Sequence, residues 1–256
     1  MDLEAQGAPR VRVPELEFVM SERRTRLIGL AAVVAAAVAA VVAPLLELSY
    51  LVTSGGVDQP ENPTVSAWAV PGRALAGGLL TWASPDRVYG TYWLLFYPLF
   101  AATFLCARAV HARRPPAAGP LERWGWRLAL VGYALGPIMG LAAIAVIIIG
   151  SADNVVIDVA FVALMVPGLL IDAIGSTVLG IALLRKSYRP RITAWLLALA
   201  FPSVLVISSL LGNFGLGLLP VLLAWAVTGW GLWRAKAPEG SEPELLIDYG
   251  QRAGIR

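Results

Sequence analysis

A carboxylate within a long apolar segment is the residue of this chain with the clearest capacity for chemistry. Asp172 lies inside the apolar run 156–184. A charge at the centre of a membrane-spanning helix costs at least about 2.5–3.5 kcal/mol on insertion scales, so such a residue faces protein or water, or takes up a proton. No Lys or Arg lies at a matching depth in another apolar run. Asp172 is therefore a candidate to carry a proton or to bind a cationic substrate.

The neighbours of Asp172 in sequence share one face of the predicted helix. Gly168, Asp172 and Ser176 are spaced by four positions, which places them along one side. Small and polar side chains on that side fit either the wall of a cavity or close packing against another helix. Ser203 has a similar depth in the next apolar run and is an expected hydrogen-bond partner if Asp172 is structural. A substrate or proton site and a structural hydrogen bond both remain open.

Three further carboxylates stand at the ends of apolar runs. Glu47 follows the first run, and Asp153 and Asp158 flank the start of the fourth. Under a functional interpretation they form an outer vestibule that attracts cations. Under the simpler interpretation they are hydrated residues at the membrane surface that pair with Arg73 or Arg87.

Residue counts and spacings exclude several kinds of site. The single cysteine, Cys106, and the single histidine, His111, exclude an internal disulfide, a multi-histidine zinc site and bis-histidine haem ligation within this chain. An intramembrane aspartyl hydrolase needs two carboxylates at one depth, whereas Asp158 and Asp172 are roughly 21 Å apart along one helix. The sequence has no Walker A loop, dinucleotide fingerprint, G-x-S-x-G or H-E-x-x-H motif. We predict no catalytic residue, metal or cofactor.

The composition indicates that lipid surrounds most of the chain. Hydrophobic residues make up 58% of the 256 positions and charged residues 14%, whereas a soluble domain carries roughly 25% charged residues. So little polar surface cannot coat a soluble globule of this size. The net charge of +3 comes from clustered arginines, which fits contact with an anionic membrane surface better than contact with nucleic acid.

Six apolar runs predict an all-α, polytopic transmembrane bundle of six spans. Each run is near or above the roughly 20 residues that a helix needs to cross the hydrocarbon core. Backbone polar groups in lipid must be paired within their own segment, so the runs are expected to be helices. The runs are approximately 27–46, 92–110, 128–150, 156–184, 192–211 and 214–233.

The distribution of basic residues predicts the orientation. Every Lys and Arg except Arg73 and Arg87 falls near the chain ends or beside the connections after the second and fourth runs. The positive-inside rule then places both termini in the cytoplasm. The predicted organisation is a cytoplasmic segment 1–26, a transmembrane domain 27–233 and a disordered cytoplasmic tail 234–256. The excess of Arg over Lys, with much Ala and Gly, suggests a bacterial cytoplasmic (inner) membrane.

Two features of the runs concern helix geometry. Gly132, Gly136 and Gly140 repeat every fourth position in the third run, a pattern that lets two helices approach closely. Every run contains a proline, and those nearest the membrane midplane are Pro137, Pro167 and Pro202. Proline bends helices, and in transporters such breaks expose backbone groups to a substrate path.

The first outer loop, 47–91, is the one long connection. Its segment 65–82 is mildly apolar and has a Trp near each end. We predict a short helix lying on the outer surface and starting near Pro71. The alternative is an ordinary cap over the end of the bundle.

Three functions remain. The first is a transporter or permease-like membrane subunit with a central site at Asp172; its length, six spans and inner termini resemble in outline the permease subunits that work with a separate cytoplasmic ATPase. The second is a non-catalytic scaffold or accessory subunit that packs on another membrane subunit. The third and least favoured is an enzyme acting on lipid, with Glu47 and Asp158 as acid and base. The bilayer is a partner in each case.

Overall fold

The computed structural model describes residues 21–53, 56, 63–114, 119–149, 155–211 and 215–235, and every regular element among them is helical. This confirms the all-α class. Predictions for residues 1–20 and for the tail after 235 lie outside the described residues. The elements are α1 (Glu22–Tyr50), α2 (Pro63–Leu80), α3 (Pro85–Ala112), α4 (Pro120–Ile149), α5 (Val155–Arg185), α6 (Arg191–Ala198), α7 (Ala200–Leu211), a 3-10 turn (Leu216–Leu218) and α8 (Leu219–Arg234).

α1, α3 and α4 begin before their apolar runs, and each has a polar or proline residue at its start. Ser21 caps α1, since its side-chain oxygen accepts a hydrogen bond from the Arg24 amide at 3.4 Å. Pro85 and Pro120 stand at the first positions of α3 and α4, where a missing N–H is tolerated. The helix predicted in the connection 47–91 begins at Pro63, not near Pro71, and Pro71 lies inside it.

Four helices among the described residues are long and apolar enough to cross a membrane. They are α1, α3, the part Ala163–Arg185 of α5, and the segment made of the 3-10 turn with α8. A fifth candidate arises if α6 and α7, which meet at a bend of 50°, form one span. The chain is thus a multi-pass membrane protein by helix length and composition, while the number six remains a prediction.

The bend between α6 and α7 follows from Pro202. Proline has no amide hydrogen, so Pro202 cannot donate to the carbonyl of Ala198 as a continuous helix requires. The preceding amide, that of Phe201, donates to the Thr177 side chain of α5 at 2.9 Å. Two consecutive helical hydrogen bonds are therefore lost, and Pro202 sits in the first turn of the new helix, α7.

Small residues bring three helix pairs into backbone contact, of which the third is α5 with α6, where a Cβ atom on Gly180 would lie 2.2 Å from the Ala198 amide nitrogen. A Cβ atom added to Gly29 of α1 would lie 2.4 Å from the carbonyl oxygen of Gly229 of α8. The reverse addition at Gly229 would place a Cβ 2.6 Å from the Gly29 oxygen. The α4 and α5 helices make the second such pair, which positions Asp172.

Candidate functional site

Asp172 lies in a short chain of hydrogen bonds between α5 and α4. Its Oδ1 accepts from the Ser176 hydroxyl at 3.1 Å, and the Ser176 oxygen is 2.8 Å from the Tyr133 hydroxyl. Because Ser176 gives its one hydroxyl hydrogen to Asp172, Tyr133 is the donor in the second bond. Asp172 is only 2% exposed, and Ser176 and Tyr133 are fully buried. The carboxyl group therefore has a protein partner in a dry environment.

Glycines on α4 and α5 close the space around these hydrogen bonds. A Cβ atom on Gly132 of α4 would lie 2.4 Å from the Asp172 Cα. A Cβ atom on Gly175 of α5 would lie 2.5 Å from the Ala129 amide nitrogen. Real Cβ contacts do not come so close, so the two backbones touch only because these positions lack side chains. The contact leaves Asp172 against protein, without a gap between the helices.

The other two members of the predicted glycine ridge face a different helix. A Cβ on Gly136 would lie 2.6 Å from Cβ of Phe100, and one on Gly140 would lie 2.5 Å from Cβ of Tyr97. Phe100 and Tyr97 belong to α3. The ridge therefore packs within this chain, with Gly132 against α5 and the later glycines against α3.

Gly168 and Ser203, the other two residues of the predicted central site, lie on different helices. Gly168 is buried against α4, and a Cβ added to it would make ordinary contacts with Leu135 and Met139 at 3.5 and 3.6 Å. Ser203 is half-buried in α7, and its amide donates to the Leu199 oxygen at 2.8 Å. Among the described contacts Asp172 bonds with Ser176 and not with Ser203. Gly168, Asp172 and Ser176 thus all face α4, whereas Ser203 belongs to α7.

Two clefts lie at opposite ends of the described bundle, and neither is lined by Asp172. The smaller, of ≈ 50 Å³, is lined by residues of the basic end, including Thr25 and Arg113. The larger, of ≈ 350 Å³, is lined by residues of α2 and its flanking turns; we call it the α2 cleft. A carrier would need water or substrate to reach Asp172, and these clefts do not supply that route.

Glu47 is buried at the far end of α1 rather than exposed on an open surface. Its Oε1 accepts a hydrogen bond from the Leu216 amide at 2.9 Å, at the start of the 3-10 turn, and its Oε2 has no hydrogen-bond partner among the described residues. Asp153 lies outside the described residues, and only the backbone of Asp158 is described. The outer vestibule therefore stays a prediction, with Glu47 itself enclosed.

A buried cluster of charges around Glu122 was not predicted from the sequence. This residue of the first turn of α4 is 2% exposed and lies 2.7 Å from Arg114 Nε and 3.0 Å from Lys186 Nζ. The Trp126 indole donates to the same carboxylate at 3.3 Å, and the Arg114 guanidinium lies over the Tyr188 ring at 5.3 Å. The available signal was that Glu122 is the only acid in the basic connection between the second and third apolar runs.

The charge state of Glu122 follows from competing effects. Burial acts to raise the pKa of its carboxyl group, but the hydrogen bond from Lys186, the charge of Arg114 and the bond from Trp126 outweigh burial. The pKa of Glu122 therefore lies below its ordinary value. The residue stays ionised at neutral pH and joins the α3–α4 and α5–α6 connections.

Other contacts gather the basic helix ends at one end of the bundle. Arg113 of the α3 C-terminus donates to the Thr25 hydroxyl of α1 at 2.8 Å. The cleft beside them also includes Leu232 and Ala235 from the end of α8. Arg73 and Arg87 belong to the opposite end, in α2 and the start of α3.

Neither metal-binding groups nor similar proteins point to a function. Within the described residues no group of three or more His, Cys, Asp or Glu side chains could hold a metal ion. Comparison with known proteins finds no matching family model, no similar curated protein and no similar solved structure. Function therefore has to be argued from the residues of this chain.

Proposed function

We propose that this chain is a six-span protein of the bacterial cytoplasmic membrane that serves as a non-catalytic, accessory subunit of a membrane complex. Asp172 holds α4 and α5 together in this proposal and carries no substrate. The observation that supports it most directly is the burial of Asp172 in the chain Asp172–Ser176–Tyr133. A carboxyl group with a satisfied hydrogen bond, shielded from water, stabilises a helix pair without needing a ligand.

Helix lengths support six spans. The bent pair α6 and α7 counts as one span, and α4, at 30 residues, has a length of about 45 Å, more than the hydrocarbon thickness. Together with the four single candidates these make six. The grouping of the basic helix ends supports an orientation with both termini in the cytoplasm.

The closed α4–α5 contact argues against a path through this pair. Opening a route to Asp172 would require the touching backbones at Gly132 and Gly175 to separate. Separation would break the bond between Ser176 and Tyr133, which belong to different helices. The expected partners are the bilayer and at least one other membrane subunit.

The closure of Asp172 is testable by cysteine accessibility, because Cys106 is the only cysteine and is buried. In a Cys106→Ala background, Ser176→Cys and Asp172→Cys are expected to resist a membrane-impermeant maleimide in intact and in permeabilised cells. The exposed residue Thr81, changed to cysteine, is expected to react in intact cells because it lies at the outer end.

Controls separate closure from misfolding. Each cysteine variant should react fully in denaturing detergent and elute as a single species in size-exclusion chromatography before unfolding. Reaction of folded Ser176→Cys with the maleimide would show a water path beside Asp172 and overturn the structural role. Reaction of Thr81→Cys only after permeabilisation would reverse the proposed orientation.

A transporter or permease-like subunit is the second candidate, and the break between α6 and α7 favours it. Broken membrane helices commonly line substrate sites, and here the Phe201 amide has left the helical pattern to bond with Thr177. Such a subunit would move a proton or cation past Asp172 and would work with a second membrane subunit or a cytoplasmic ATPase.

Proton flux into liposomes that contain the purified protein distinguishes the two candidates. The accessory role predicts a flux equal to that of protein-free liposomes when a membrane potential is imposed with valinomycin and potassium. A larger flux that Asp172→Asn abolishes would establish the transport function and displace the proposal.

A further inference from the structure

The described lining of the α2 cleft has one cation, Arg73, among mostly apolar residues. Its volume is ≈ 350 Å³, and it opens between α2, the end of α1 and the turn that leads into α3. Arg73 and Gly77 are one helical turn apart on α2, and Thr81 follows at the same spacing just beyond the helix. The other lining residues include Val52, Leu80 and Pro85.

The guanidinium of Arg73 is only partly used by the protein. Its Nη2 donates to the Leu51 carbonyl oxygen at 2.7 Å, at the end of α1. Its Nε is buried and has no hydrogen-bond partner among the described residues. A guanidinium offers five N–H donors in a planar fork that matches the oxygens of a phosphate or carboxylate. Arg73 itself is half-buried and lines the cleft, so a ligand would be met by guanidinium N–H donors other than the enclosed Nε.

The exposed apolar residues of α2 indicate that this helix contacts lipid beside the cleft. Val70, Leu75 and Leu79 are exposed on α2, with Leu75 at 90%, and the exposed Trp82 follows the helix. An amphipathic helix with an exposed apolar face and an adjacent Trp is typical of the membrane surface. A ligand that enters from this side would have an anionic head for Arg73 and an apolar part for the walls.

From these observations we infer that the α2 cleft binds the headgroup phosphate of an anionic phospholipid from the outer leaflet, with Arg73 on the phosphate and the acyl region along Val52 and Leu80. The inference goes beyond the accessory role and rests on the membrane location and on the proposed orientation of the chain. It does not use the interpretation of Asp172.

Two variants test the cleft in different ways. Arg73→Gln removes the charge, whereas Gly77→Leu fills the cleft and keeps Arg73 with its bond to Leu51. A Cβ on Gly77 would meet nothing within 4 Å, so this helix position accepts a side chain without moving the backbone. Arg87→Gln is the matched control, since Arg87 is the other basic residue of this end and is exposed.

The measurement is native mass spectrometry of the full chain in detergent, titrated with dioctanoyl phosphatidylglycerol. Wild type and the control Arg87→Gln are each expected to bind one lipid molecule. Arg73→Gln and Gly77→Leu are expected to bind that lipid about tenfold more weakly or not at all. The variants should match wild type in size-exclusion profile, which separates loss of binding from loss of fold.

Two further experiments identify the source of the phosphate and test whether carboxylates of the same chain compete for Arg73. Inorganic phosphate should not displace the lipid at equal concentration; displacement would point to a soluble anion and overturn the lipid assignment. Asp58→Asn with Glu61→Gln controls for pairing of Arg73 with carboxylates that lie outside the described residues. Equal lipid binding by wild type, Arg73→Gln and Gly77→Leu, or binding by the control double variant alone, would overturn the inference.

Discussion

Replacing Gly132 by alanine is expected to destabilise the folded protein by about 3 kcal/mol, the upper end of the usual cost of overpacking. The added methyl group would lie 2.4 Å from the Asp172 Cα and 2.6 Å from its amide nitrogen. Both are backbone atoms of α5, so no side-chain rotation relieves the contact, and the helices must move apart. The hydrogen bond between Tyr133 and Ser176 would lengthen with them.

Gly231→Ala is the matched control for this change. Gly231 also lies within a helix, α8, but a Cβ there meets nothing within 4 Å. Alanine has a better helix propensity than glycine by up to about 1 kcal/mol, so Gly231→Ala is expected to be neutral or stabilising. Reversible unfolding in mixed micelles with increasing dodecyl sulfate measures both. Equal stability of the two variants would disprove the α4–α5 backbone contact.

Replacing Glu122 by glutamine is expected to cost about 2–3 kcal/mol of unfolding free energy at pH 7. Removing one partner of a buried ion pair typically costs about 3–5 kcal/mol, because the other charge is left without compensation. We expect the smaller loss of about 2–3 kcal/mol for Glu122→Gln because Lys186 is 43% exposed and stays hydrated. Arg114 and Lys186 would then repel each other beside α4.

The pH dependence of stability gives a second test of the Glu122 cluster. The pKa of Glu122 is lower in the folded protein than its ordinary value of 4.5, so the unfolded chain binds this proton more readily. The stabilisation is therefore present above about pH 4.5 and is lost as the pH falls through the lower, folded pKa. Glu122→Gln should lack this part of the acid sensitivity.

Glu22→Gln serves as the control for the charge change. Glu22 is paired with Arg26 at 3.9 Å on the exposed start of α1, and exposed pairs contribute little to stability. Its removal should leave both the stability at pH 7 and the acid profile near those of wild type. If Glu122→Gln behaves like Glu22→Gln, the α3–α4 and α5–α6 connections are not joined as described.

Contacts within one helix can be predicted from residue spacing, whereas contacts between helices depend on how the helices pack. Ser176 could be named as a neighbour of Asp172 because the i, i+4 spacing of a helix is a local property. Tyr133 could not, because its meeting with Ser176 depends on how α4 is rotated against α5. Gly132, beside it in sequence, was recognised as a packing residue, but the pattern does not name the partner helix.

Two further differences have the same origin. Pro202 predicts a bend, and the helix is interrupted there because the Phe201 amide donates its hydrogen bond to Thr177 of another helix. Glu122 lies in the first turn of α4, where acids are common. Its importance arises only when the connection after α5 brings Lys186 to it.

The order of residues along the chain is enough to establish a helical, multi-pass protein, because apolar runs that exclude charge dictate both the solvent and the backbone pairing. It also locates the one carboxylate at mid-depth in an apolar run. The enclosure of Asp172 emerges only from helix packing, because it depends on two glycines that let helices touch and on a tyrosine donor from the facing helix. Packing likewise places Arg73 beside an apolar cleft, since that cleft exists only where α2 lies across the end of α1.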